Sequence, residues 1–242
     1  ISSAIIKGFQ GPDLSHPDSL LACAKHFCGY GFSEGGRDYD STEISENTLH
    51  NVVLPPFKQA VKSGVATVMT GFNDLGGTPV SGHKKLIQGW LKEDQGFDGF
   101  VISDWGSIDD LERFGVAGSA SDAAVLGCDS GIDMAMPSEV FDEHLLQAVQ
   151  LGKISTQRLD DAAKRILTIK FKAGLFEHPY VDPERSANVC LSPAHRQTAL
   201  ALAESSMVLL KNTRGTLPLA KTGLKIAVVG PFTDVKRPHL GS

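Results

Sequence analysis

Short apolar runs that end on polar residues recur along the chain, with amphipathic stretches between them. LLACAKHF, VATVMT, GFVISDW and GIDMAM each hold enough consecutive apolar residues for a strand, without the clean alternation of a half-exposed one. They predict strands at 21–27, 65–70, 99–103 and 131–136, each buried on both faces. Between them the period lengthens to that of a helix. Ser45 stands where an N-cap belongs for a helix with Leu49, Val52 and Val53 on its apolar side, which Pro55 and Pro56 should end. A second helix should run from Pro56 to Lys62 and stop at Gly64. HKKLIQGWLKED, the stretch through Asp122 and Leu126, and 138–151 closed by Gly152 predict further helices. Ser155 should cap a long one with Leu159, Ala162, Ile166 and Ile169 on a single stripe, ending near Gly174.

Alternation of strand and helix implies a parallel sheet, either a (β/α) barrel or an open doubly wound sheet. KHF, GFND, SDW and DMAM all put polar groups at strand C-termini, which leans towards a barrel, whose active sites sit there. Beyond Phe176 the texture changes. HPYVDPERSANVCLSP is Pro-rich and aperiodic, so 177–193 reads as a linker. A helix at 194–204 and strands at 208–210 and 224–231 (LKIAVVGP) would then open a second α/β domain, 194–242. So few elements cannot form a core. The chain is therefore expected to end inside a domain, and its start at Ile1 fits a piece of a longer protein.

Composition narrows the function classes. Over 242 residues, 41% hydrophobic and 21% charged positions suit an ordinary soluble globular protein with a core to bury. The formal charge of −5 and the lack of a Lys/Arg cluster speak against nucleic-acid binding. No apolar run approaches the roughly 18 residues of a membrane span. Cys23, Cys28, Cys128 and Cys190 are scattered without a C-x-x-C, so buried thiols are expected rather than a disulfide framework. The His residues are dispersed and H-E-x-x-H is absent, so no metal site is expected; neither phosphate-binding glycine motif occurs, so no nucleotide cofactor is expected either.

The chemistry concentrates in a few places. Asp104 puts a carboxylate at the end of a buried strand beside Trp105, an arrangement suited to attack on an anomeric carbon with an aromatic face for the sugar ring. The plainer reading is a helix N-cap, a role Ser107 would fill as well. Lys25 and His26 end another strand. Neighbours on a strand point to opposite faces, so both reach one pocket only where the backbone turns. They could clamp vicinal hydroxyls, Lys25 could serve as a Schiff-base lysine, or the pair could be a salt-bridged lysine beside a core histidine. Arg37, after Gly35 and Gly36, could bend towards a substrate or remain a surface charge. Met69 and Phe72 could line a pocket or belong to the core.

Taken together, ACAKHFCGYGFSEGGRDYD, ATVMTGFNDLGGTPVSG, GFDGFVISDW, AGSASDAAVLGCDSGIDMAM and AAKRILTIKFKAGLFEHPYVD resemble glycoside hydrolase family 3, in order and at the family's spacing, with SSMVLLKNTRGTLPL and IAVVGP continuing the match. The resemblance implies a partial (β/α)8 TIM-type barrel at 1–176, the linker, and the start of an α/β sandwich. It implies a retaining, exo-acting hydrolase of terminal β-D-glucosyl residues, with β-xylosyl as the alternative, and no cofactor. Asp104 would be the nucleophile. Lys25, His26 and Arg37 would bind the sugar's hydroxyls, and Met69, Phe72 and Trp105 would shape the pocket. Phe72 departs from the tyrosine many members carry, and a missing hydrogen bond of that kind costs about 1–3 kcal/mol.

The loop CGYGFSEGGRDYD lacks the histidine of the branch that carries an Asp-His acid/base. By the resemblance, the acid/base would be a glutamate of the second domain, outside this chain, and earlier barrel strands would precede Ile1. The chain alone is then expected to be inactive and, with unpaired strand edges, to associate. The expected partner of the whole protein is an oligosaccharide or an aryl or alkyl β-glucoside, with no nucleic acid and no membrane. A non-catalytic sugar-binding module and a Lys25 aldolase are the other classes. The compartment stays open between periplasmic, secreted and cytoplasmic.

Overall fold

The computed structural model describes residues 1–136, 139–231 and 233. The strands are β1 (Cys23–Phe27), β2 (Thr67–Thr70), β3 (Asp74–Leu75), β4 (Thr78–Pro79), β5 (Phe100–Trp105) and β6 (Met134–Met136). β1, β2, β5 and β6 form one parallel sheet in that spatial order, while β3 and β4 make a small antiparallel hairpin after β2. Helices fill each crossover, as a parallel sheet requires. This is an α/β architecture of the kind expected from part of a TIM-type barrel.

Burial on both faces holds for β2, every residue of which is buried, but not for β1, where burial alternates and only Phe27 is fully covered. β1 and β6 each have one neighbour in the sheet, so less packs against them. Phe27 anchors the core, edge-on to Phe57 at 5.0 Å and stacked with Trp90 at 6.1 Å between ring centroids. Gly99 is required where β5 begins, because a Cβ there would run into the Ala66 carbonyl.

The helices follow α1 (Ser2–Gln10), then α2 (Glu46–Thr48), a π-helical turn at Leu49–Val53 and α3 (Leu54–Lys62). Ser45 caps α2 as expected, its hydroxyl accepting from the Thr48 N–H. The proline pair does not end the helix. The turn before it is widened, with the Leu54 N–H bonded to the Leu49 carbonyl, and Pro55 and Pro56 then occupy the opening positions of α3, where no N–H is needed. A π-helix at Lys85–Asp94, α4 (Asp110–Arg113), α5 (Ala120–Ser130), α6 (Glu139–Gln150) and α7 (Thr156–Lys172) follow. Ser138, the expected start of α6, lies outside the described residues. Ser155 caps α7, with Ala162 and Ile169 of the expected stripe buried.

α7 is tied to the sheet by charge as well. Asp133, just before β6, accepts from Lys92 at 2.7 Å, from Arg158 of α7 at 2.9 Å and from the Val101 N–H of β5 at 2.8 Å. Arg165 donates to the Phe97 and Gly99 carbonyls. Burial lowers the Lys92 ammonium to about 8, against the opposing pull of Asp133.

The chain divides into two compact units, Ile1–Val181 and Asp182–Ser242. In the second, α8 (Arg185–Val189) interrupts the stretch read as linker, and α9 (Pro193–Ser205) starts at a cap from Ser192. The strands expected at 208–210 and 224–231 are not formed. A strand needs a neighbour for its N–H and C=O groups, and no described residue of this unit supplies one. The thiol expectation also divides: Cys28 and Cys128 are buried, Cys23 and Cys190 are exposed, and all four are free. Burial pushes the Cys28 thiol up to about 12.

Candidate active site

The polar ends of β1, β2 and β5 meet at one edge of the sheet, because parallel strands in register bring their C-termini together. Asp104 lies within β5 rather than past its end, and its side chain is 12% exposed. One carboxylate oxygen, Oδ1, accepts from the Trp105 N–H at 2.7 Å. The other, Oδ2, is buried without a hydrogen-bond partner and lies 3.4 Å from His26 Nε2. The carboxylate does not cap a helix: α4 begins at Asp110 and has no side-chain cap. Nor does Ser107, whose hydroxyl is engaged by Ser81 at 2.8 Å; Ser81 in turn meets Thr70 at 2.9 Å. This chain of buried hydroxyls braces the turn after Asp104 against the end of β2.

β1 breaks register with β2 between Ala24 and Phe27, which is the backbone turn that Lys25 and His26 need to serve one pocket. His26 faces Asp104, and Lys25 Nζ lies 3.8 Å from Met69 Sδ on β2. Lys25 is exposed, unlike a Schiff-base lysine working from a desolvated pocket. Met69 is buried and Phe72 half-buried, whereas Trp105 is 67% exposed.

Arg37 sits further out, its Nε 2.8 Å from Asp40 Oδ2, and lines a cleft of about 390 Å³ with Tyr30 and Asp38. A larger depression of about 750 Å³ lies beside β6, lined by Asp109, Glu139 and Asp142 among others, and holds none of the residues expected from sequence.

Two tyrosines that sequence reasoning passed over pack beside these residues. The Tyr30 ring lies 5.4 Å from His26 and 6.3 Å from Phe72, and the Tyr39 ring 4.3 Å from Phe72. An aromatic between two glycines, one residue after KHF, was the available signal for Tyr30. Among the described residues no helix is long and apolar enough to cross a membrane.

With this geometry in view, the comparisons are consistent with one another. Residues 1–169 match the family model described as the glycosyl hydrolase family 3 N terminal domain. The chain is 36% identical to a periplasmic beta-glucosidase of Salmonella typhimurium, over 100% of this chain and 32% of that protein. It is 35% identical to a beta-xylosidase of Formosa agariphila, over 99% of this chain and 35% of that protein. Thus it spans about a third of the length of these curated relatives. A mutant beta-glucosidase from Listeria innocua in complex with laminaribiose superimposes with a TM-score of 0.87 at 34% identity, covering 90% of this chain and 31% of that one. An exo-1,3/1,4-beta-glucanase mutant from a Pseudoalteromonas species gives a TM-score of 0.81 at 32% identity, covering 90% and 36%. With the family model matched over residues 1–169, more than half of this chain, and the SDW carboxylate set among the strand ends of a parallel sheet, this chain belongs to glycosyl hydrolase family 3.

Proposed function

We propose that the protein carrying this chain is a retaining, exo-acting glycosidase that releases terminal non-reducing β-D-glucosyl residues, with Asp104 as its nucleophile. The observation that carries the reading is the Asp104 carboxylate: one oxygen is held by a backbone N–H, and the other is buried and free of hydrogen bonds. Oδ2 attacks the anomeric carbon as the bond to the leaving oxygen breaks, and that oxygen takes the bonding electrons together with a proton from a carboxylic acid. Water then displaces the carboxylate from the glycosyl-enzyme, giving up its proton to the same acid, now a base. Lys25, His26 and Arg37 hold sugar hydroxyls, and Met69, Phe72 and Trp105 wall the pocket.

The acid/base is assigned to a glutamate outside this chain, so the chain by itself does not turn over. Residues 1–176 are assigned to the catalytic barrel, 177–193 to a linker and 194–242 to the opening of an α/β sandwich domain. A periplasmic location fits the Salmonella relative's name.

Asp104→Ala in the full-length protein is expected to cut hydrolysis of an aryl β-D-glucoside by about 10⁴-fold or more. Azide added to that variant should restore turnover and yield a glycosyl azide of inverted anomeric configuration. Activity retained in the variant overturns the assignment. Similarity to a beta-xylosidase favours one second reading, β-xyloside hydrolysis at the same site. A kcat/KM for an aryl β-xyloside above that for the glucoside would select it.

A further inference from the structure

Tyr39 joins elements that follow three neighbouring strands of the sheet. It belongs to the loop after β1, yet its ring packs on Phe72, from the loop after β2, at 4.3 Å and a 40° tilt. The Arg113 guanidinium, on α4 after β5, stands 5.9 Å over the same ring. Loops from three neighbouring strand ends therefore converge on this side chain, and Asp104 lies in the strand that leads to Arg113. Tyr39 also holds a left-handed backbone conformation, φ 57°, which a non-glycine residue adopts at a cost. The residue remains 44% exposed. Burial, then the carboxylates of Asp38, Asp110 and Asp104, raise its phenol above the ordinary range, against the opposing pull of the Arg113 guanidinium.

What this pair offers a ligand differs from what Trp105 offers. Trp105 is largely exposed, and an exposed indole suits any flat or apolar group. The ring of Tyr39 has Phe72 and Arg113 against it, yet Tyr39 is 44% exposed and the Arg113 side chain 72%, so a ligand can reach the phenol and the guanidinium. Besides the Tyr39 ring, Arg113 contacts Asp110 at 3.4 Å. Phenol and guanidinium are hydrogen-bond donors, and donors select a leaving group rich in hydroxyls.

We propose that Tyr39 and Arg113 form a leaving-group contact that favours a second sugar ring over an aryl group. This rests on the glycosidase reading given above and adds the residues that set leaving-group preference.

The test compares cellobiose with para-nitrophenyl β-D-glucoside in the full-length protein. Tyr39→Phe and, separately, Arg113→Ala are expected to lower kcat/KM for cellobiose about five- to tenfold, the worth of one hydrogen bond, and to change the aryl substrate less than twofold. Trp105→Ala is expected to lower both. Arg113 projects into solvent, so its variant tests the idea without disturbing the core. Equal losses on both substrates would make Tyr39 a mere support for Phe72 and overturn the proposal, as would no loss on either. A wild-type protein that cleaves neither substrate removes the β-glucosidase reading itself, and this inference with it.

Discussion

Residues 1–181 and 182–242 carry similar apolar runs and treat them in opposite ways. In the first, Phe27, Val68, Ile87, Leu91 and Val101 are sealed at 0–1% exposure. In the second, Leu210, Val228 and Val229 stand 92%, 75% and 89% exposed, and no described residue is buried. The difference lies in partners. Each apolar strand of the first unit has a neighbouring strand and a covering helix, so its backbone groups are satisfied and its side chains leave water together. The runs of the second unit have neither, and an apolar sequence without a ladder remains extended chain.

Hydrogen exchange separates the two units most sharply. Core amides of β2 and β5 are expected to exchange at least about 10³-fold more slowly than those of 208–210 and 224–231, reflecting ordinary domain stability in one and none in the other. Comparable protection in both would erase the contrast. Phe27→Ala should cost about 3–5 kcal/mol in denaturant unfolding, while Leu210→Ala should change it by less than about 0.5 kcal/mol. A large loss from the second variant would mean that this run is packed after all.

The charged staple under the sheet supplies a pH handle. Lys92 is lowered to about 8 in the folded chain and returns to the ordinary lysine value on unfolding. Between about pH 8 and 10.4 the unfolded chain therefore binds the extra proton, and this group makes stability rise with pH, by at most about 1.4 kcal/mol per unit. Below pH 8 both states are protonated and the dependence vanishes. Lys92→Met should flatten the rise in thermal unfolding scans; an unchanged slope would assign it to another group. Smallest is the pair of caps. Ser155→Ala, on α7, should cost about 1 kcal/mol of the first unit's stability, and Ser192→Ala, on α9, should leave that unfolding unchanged.

Much of this was legible in sequence because it is local. A capping serine needs only the next few residues, so Ser45, Ser155 and the closing glycines could be read directly. Apolar runs marked β2 and β5 because both are central, with burial averaging over two faces. Asp104 stood out because a charge at the end of such a run calls for an explanation. The prolines of 55–56 misled, because whether Pro breaks a helix depends on the turn before it, and a widened turn leaves no mark in composition. Tyr39 was passed over for the opposite reason: its loop reads as surface charge until β2 and β5 place Phe72 and Arg113 around it.

By itself, then, the sequence determined the strand–helix alternation, the caps and the acid at the end of β5, since propensity, periodicity and hydrogen bonding within a few residues act before any long-range contact forms. Only the tertiary structure decided which apolar runs became strands, that His26 and Asp104 approach within 3.4 Å, and that one carboxylate oxygen is left without a partner. Those outcomes depend on what lies across the sheet, and neighbours brought together from distant parts of the chain are not written at any single position along it.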